Sequence, residues 1–326
     1  MLLDGTDAAA LQRAAEALAA GELVAIPTET VYGLAARADD DAAVAKIYAA
    51  KGRPSGHPLI VHVGEPAEAD AFAAEIPAVA RRLMAAFWPG PMTLILARAP
   101  GVAGSAAAGL PTIGLRCPSH PVAHALLAAT RRLGVAGIAA PSANRFGRIS
   151  PTRAAHVVEE FGPELAVLDG GACELGIESS IVDCTRGHPV LLRPGVLTPA
   201  RIEEAAGEPL RAPDDAAPRA PGTLAAHYAP KARLRLMSSQ MLTSALQLLG
   251  DQPLNLAVYS RSVPLGPVHG VRHRRMPARP DQAAHELFTV LRELDADGAQ
   301  LIWVEEPPAD PAWDGVRDRL QRAAAA

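Results

Sequence analysis

The stretch E-L-V-A-I-P-T-E-T-V-Y-G-L, residues 22–34, decides the reading of the fold. Leu23, Val24, Ala25 and Ile26 form a short apolar run that Pro27 stops, the pattern of a buried strand. A polar Thr28-Glu29-Thr30 follows at once. In α/β sheets, ligands gather beyond the carboxyl ends of strands, so this trio is a candidate site. Thr and Glu are also ordinary turn and helix-cap residues, which is the plainer reading of the trio alone.

Outward from this stretch, strands and helices alternate. Residues 6–20 put Leu11, Ala14, Ala15 and Leu18 on one helical face, with Thr6 or Asp7 able to cap and Gly21 able to end the helix. Residues 40–50 place Val44, Ile47 and Tyr48 at helical spacing before Gly52, and residues 59–63 read as a second strand. Further helices are expected at 78–87, 121–133 and 152–161, and extended segments at 92–97, 112–116, 137–140, 181–184 and 190–193. This predicts one α/β domain over residues 1–207. Several connections are too short for a crossover helix, so a mixed sheet is expected.

Residues 208–230 carry Pro209, Pro213, Pro218, Pro221 and Pro230 with little periodicity, the composition of a stiff linker, which we extend to residue 232. Beyond it, strands at 233–237, 254–259 and 300–304 alternate with helices at 239–249, 281–295 and 314–325. That pattern predicts a smaller, Rossmann-like α/β domain over 233–326. Neither half contains G-x-G-x-x-G or G-x-x-x-x-G-K-[ST], so the common nucleotide fingerprints are missing.

At 326 residues the chain has room for about two domains, and 49% hydrophobic residues suffice for their cores. A net charge of −4 argues against a globally basic nucleic-acid binder but leaves room for a local basic pocket. Cys117, Cys173 and Cys184 form no C-x-x-C and are expected to be buried apolar fillers in a reducing compartment, the cytoplasm. The start M-L-L-D-G-T-D-A-A-A-L-Q lacks the basic and apolar regions of a signal peptide, and no apolar run reaches the length of a membrane span.

Six clusters carry polar groups suited to chemistry. The first is P-T-E-T-V-Y-G-L, residues 27–34. In K-G-R-P-S-G-H-P-L-I-V-H-V, residues 51–63, Lys51 and Arg53 can hold a triphosphate, or simply complement a helix C-terminus; His57 and His62 lie beside them. In P-T-I-G-L-R-C-P, residues 111–118, Arg116 ends a strand and can pair with a substrate carboxylate. In A-P-S-A-N-R-F-G-R-I-S-P-T, residues 140–152, Ser142 and Asn144 suit phosphate oxygens or a plain turn. G-I-E-S-S-I-V-D-C (176–184) with L-L-R-P-G (191–195) offers serines and an arginine at strand ends. P-G-T-L-A-A-H-Y-A-P-K-A, residues 221–232, sets His227-Tyr228 in the linker, as a lid or as a packing anchor.

Taken in order, P-T-E-T-V-Y-G-L, K-x-R-P with P-L-I-V-H-V, S-x-N, E-S-S-I-V-D, L-R-P-G and H-Y-A-P resemble the YrdC-domain family of threonylcarbamoyl-AMP synthases, in its long form with a C-terminal domain. The resemblance is strongest over residues 21–195 and the H-Y-A-P segment. It implies a twisted mixed sheet around a basic cavity and a nucleotidyltransferase that converts L-threonine, bicarbonate and ATP, with Mg2+, to threonylcarbamoyl-AMP and pyrophosphate. That product serves tRNA threonylcarbamoyladenosine modification through separate transferase proteins. Carried onto this chain, Thr30, His62, Arg116, Ala140 and Ser179 match threonine contacts. Lys51, Arg53, His57, Thr112, Ser142, Asn144, Ser150, Arg193, His227 and Tyr228 match the ATP side, with Lys51 and Arg53 neutralising charge as the catalytic pair. His57 stands where the family commonly has Asn. The triphosphate is expected to carry the magnesium, without side-chain ligands.

Two other readings compete. An RNA-binding module could use Lys51, Arg53, Arg116, Arg145 and Arg148 on phosphates, although 4% aromatics offers little for base stacking. A carbamoyl-transfer relative of hydrogenase maturation would carry zinc-finger cysteines, which this sequence lacks.

Overall fold

The computed structural model describes residues 1–249, 255–263 and 271–326. The chain divides into two compact units, one of Met1–Phe146 with Ser150–Thr223 and one of Gly147–Ile149 with Leu224–Ala326. The division therefore falls inside the proline-rich segment, after Thr223, and it also passes through the loop that holds Ser142 and Asn144.

The first unit is built on β1 (Leu2–Asp4), β2 (Val24–Ile26), β3 (Gly33–Arg37), β4 (Ile60–His62), β5 (Met92–Ala97), β6 (Thr112–Arg116), β7 (Ile138–Ala139), β8 (Ala166–Asp169), β9 (Ser180–Asp183) and β10 (Val190–Arg193). They form one ten-stranded sheet in the order β1-β8-β2-β3-β7-β4-β6-β5-β9-β10. It is mixed: β1–β8, β2–β8, β4–β6 and β5–β9 pair parallel, and the remaining neighbours pair antiparallel. Successive side chains of a strand point to opposite faces. Val24 and Ile26 accordingly join one buried cluster with Leu18 and Leu126, while Ala25 joins another with Val44, Ile47 and Leu83. Helices Ala8–Ala19 and Pro121–Arg132 cover the first face, and Asp41–Lys51 and Ala78–Phe87 cover the second.

Helix Asp41–Lys51 shows how the sequence fixes a candidate site residue. The Asp40 carboxylate accepts from Ala42 N at 2.9 Å and Ala43 N at 3.1 Å, closing the start. Gly52 ends the helix with φ of 61°, a left-handed conformation that costs a Cβ-bearing residue strain. Lys51 is thereby the last helical residue, buried and aimed inward.

The second unit holds β11 (Arg233–Met237), β12 (Leu256–Ser260), β13 (Val271–Arg275) and β14 (Leu301–Glu305). Among the described residues they form an all-parallel sheet, β11-β14-β12-β13. Helices Ser239–Leu249, Pro280–Ala296 and Asp314–Ala324 accompany it. Leu254, expected to open a strand, lies outside the described residues.

Several elements escape the sequence reading: β1, β3, β8, β13 and helix Pro199–Ala206. β3 reads G-L-A-A-R, without a β-branched residue, and β13 reads V-R-H-R-R, without an apolar alternation. Asp7, not Thr6, caps the first helix, accepting from Ala9 N at 3.0 Å.

Replacing Asp40 by Ala should lower stability to urea by about 1 kcal/mol, and Asp40→Asn should restore most of it. Equal loss in both variants would count against the capping account.

Candidate active site

The polar clusters converge on strand ends of the first unit. Arg116 closes β6, and its parallel partner across the ladder is His62, the last residue of β4. Arg116 is buried, at 4% exposure. Its Nη2 donates to Glu29 Oε1 at 2.6 Å, its Nη1 to Thr30 Oγ1 at 2.9 Å, and its Nε to Gly90 O at 3.3 Å. A directed chain follows. Thr28 Oγ1 donates its hydrogen to Val31 O at 2.7 Å, so at the 2.8 Å Thr28–Thr30 contact the donor is Thr30. Thr30 is thus left to accept from Arg116. Thr28 Oγ1 also accepts from Thr30 N and Val31 N, both at 3.2 Å, which fixes the turn after β2.

Lys51 and Arg53 anchor a second group of loops. Lys51 Nζ donates to Ser142 O at 2.5 Å and to Asn144 O, while Phe146 N returns a bond to Lys51 O at 2.8 Å. Burial, then the neighbouring Arg53, pushes the Lys51 ammonium well below the ordinary lysine value. Arg53 Nη2 donates to Pro58 O at 2.9 Å, and its guanidinium lies 5.5 Å from the Phe146 ring centre. The His57 ring sits 5.5 Å from the same ring and is lowered by burial and by Arg53 and Arg219.

A third group surrounds Ser179. Its hydroxyl lies 2.8 Å from Thr93 Oγ1, and Arg193 donates to Ser179 O from Nε at 3.0 Å and Nη2 at 2.9 Å. Ser150 donates to the buried Glu178 carboxylate. Ala140 N bonds Ile60 O at 3.0 Å, beside β4. Thr112 opens β6, so it stands at the opposite end from Arg116, roughly 13 Å along the strand.

His227 and Tyr228 belong to the second unit. His227 N donates to Arg322 O at 3.1 Å, and Tyr228 packs 5.4 Å from Phe288 and 5.5 Å from the Arg319 guanidinium. Tyr228 has φ of 63°, unusual for a bulky residue. Ala229 N donates to Gly147 O at 2.8 Å within the same unit.

Sequence reasoning gave Glu29, inside the candidate Thr-Glu-Thr trio, and Glu178, inside E-S-S-I-V-D, no role of their own. Both stand in quoted motifs, and both are buried, at 3% and 6% exposure. The three cysteines are free and buried as expected, with burial pushing each thiol up to about 12. No described helix is long and apolar enough to cross a membrane.

A domain family described as telomere recombination, comprising Sua5, YciO and YrdC, matches residues 16–195. The C-terminal domain of threonylcarbamoyl-AMP synthase matches residues 197–325. The threonylcarbamoyl-AMP synthase of Bacillus subtilis is 37% identical, spanning 96% of this chain and 92% of the relative. The chain belongs to the threonylcarbamoyl-AMP synthase family. The member from Pyrococcus abyssi is 36% identical over 93% of this chain and 90% of its own length. A solved structure of P. abyssi Sua5 complexed with L-threonine aligns at a TM-score of 0.86, with 34% identity over 96% of this chain and 94% of that one. A P. abyssi Sua5 variant with consecutive His and Tyr changed to Ala aligns at 0.90, with 33% identity over 99% and 96%.

His62 yields a pH prediction for this synthase-family member. Burial, then Arg116, pushes its imidazole down to about 3. The unfolded chain therefore binds this proton from about pH 6.5 downward while the folded chain resists it until about 3. Stability should fall as pH drops through that window, by up to about 1.4 kcal/mol per pH unit from this group. His62→Gln should flatten the urea-midpoint profile between pH 6 and 4; an unchanged slope would assign the acid limb elsewhere.

Proposed function

We propose that this chain is an L-threonylcarbamoyladenylate synthase, a nucleotidyltransferase that joins L-threonine, bicarbonate and ATP. The observation that carries the reading is the pair of buried cationic clusters, Lys51 with Arg53 and Arg116 with Thr30, at the loops of one mixed sheet. Family membership over nearly the whole chain supports it.

In this reading Arg116 takes the threonine carboxylate, and Thr30, Ala140 and Ser179 complete that pocket. Burial and Arg116 push the His62 imidazole down to about 3, so at neutral pH it is uncharged and orients substrate with one ring N–H donor and one ring-nitrogen acceptor. Lys51, Arg53, His57, Ser142, Asn144, Ser150, Thr112 and Arg193 face ATP.

Bicarbonate loses hydroxide to give carbon dioxide. The threonine amine adds to it, and the released proton and hydroxide form water. A carbamate oxygen then bonds to the α-phosphorus as the bond to the β-phosphate breaks and pyrophosphate leaves. Such transfer needs positioning and charge neutralisation above all. An incoming phosphate favours the Lys51 ammonium, because the anion offsets the burial that lowers it.

Magnesium supplies further neutralisation when bound with ATP. The triphosphate would carry that ion mainly on its own oxygens. The product would pass to transferase proteins acting on tRNA in the cytoplasm, a reducing setting that suits three free thiols.

Pyrophosphate release should require threonine and bicarbonate together and should drop when serine or glycine replaces threonine. Lys51→Met and Arg53→Met should each lower kcat roughly 100–1,000-fold. Release that ignores threonine would refute the assignment.

A further inference from the structure

We infer that Glu29 is a positioning residue, which sets the Arg116 guanidinium for the substrate carboxylate. The inference rests on the threonine-side reading above and deepens it. Glu29 is 3% exposed and fully committed. Its Oε1 accepts from Arg116 Nη2 at 2.6 Å and its Oε2 from Ser119 N at 3.0 Å. Its main-chain carbonyl accepts from Leu175 N at 2.7 Å. One residue thus ties three segments together: the turn after β2, the exit from β6, and the loop leading into β9.

The geometry at Arg116 explains what this tie does. A guanidinium has five N–H donors in a rigid plane. Gly90 takes the Nε hydrogen, and Thr30 and Glu29 each take one from a terminal nitrogen. One hydrogen remains on each terminal nitrogen for an incoming oxyanion. The plane of those two donors is set from both sides, by the Thr28–Thr30 hydroxyl chain and by Glu29. Glu29 is itself held by Ser119, so the plane cannot pivot freely. Charge follows the same logic. A carboxylate beside a buried guanidinium offsets part of the cost of keeping that cation out of water before substrate arrives.

Substrates with and without a carboxylate separate positioning from plain structural damage. Pyrophosphate release is measured with L-threonine and with L-threoninamide, which keeps the amine and side chain but has no carboxylate. The wild-type chain should favour threonine strongly in KM. Glu29→Gln keeps the shape but removes the charge, and it should raise the threonine KM roughly 10–100-fold. The threoninamide KM and the ATP KM should stay within about two-fold, so that the preference collapses. If Glu29→Gln does not fold, the same ratio is read in Glu29→Asp, which keeps the charge on a shorter arm and should lose part of the preference. A variant that loses kcat equally with both substrates and keeps the full preference overturns the inference. Wild-type release that is indifferent to threonine would instead defeat the functional reading itself.

Discussion

Four cations withdrawn from water dominate the first unit. Lys51, Arg53, Arg116 and Arg193 are exposed by only 3%, 8%, 4% and 3%. Each such burial costs several kcal/mol unless the charge finds close partners. Their partners include main-chain carbonyls of loops: Ser142 and Asn144 for Lys51, His57 and Pro58 for Arg53, Gly90 for Arg116, and Ser179 and Pro221 for Arg193. Arg116 has the Glu29 carboxylate as well. The loops are therefore held in place by the cations, and the cations are made tolerable by the loops.

This mutual dependence has a chemical consequence. A carbonyl dipole offsets a buried charge less fully than a carboxylate does. Clusters of buried cations favour an incoming negative charge, although the chain as a whole carries −4. Phosphates and a carboxylate are the anions that the proposed reaction brings. The low dielectric of a buried site strengthens their attraction and reduces competition from water. The lowered Lys51 and His62 are two results of the same surroundings: burial disfavours their charged forms, and each lies beside a guanidinium.

Much of the first unit was legible in the sequence because its elements carry clear punctuation. Strands Met92–Ala97 and Thr112–Arg116 and helix Ala78–Phe87 fall at the expected residues. β1, with three residues, and β3, built of Gly, Leu, Ala and Arg, carry too little local preference and are imposed by their neighbours. The family motifs were legible as an ordered set, yet Thr-Glu-Thr, read as a candidate site or a turn, gave no sign of the partner of its middle member. Glu29 acquires its partner 87 positions away, where β6 ends. No local pattern encodes that meeting. The same holds for Ser150 and Glu178, 28 positions apart and joined only by the fold.

Binding linkage tests the central claim, that the buried cations form a ready-made anion site, most directly. Urea unfolding is followed for the wild-type chain and for Arg53→Met as Mg-ATP is raised. A ligand that binds only the folded state adds about 2.7 kcal/mol of stability at 100 times its dissociation constant. The wild-type midpoint should climb with ATP concentration, and the Arg53→Met midpoint should climb much less at the same concentrations. An unmoved wild-type midpoint, or the same climb in both proteins, would contradict the account.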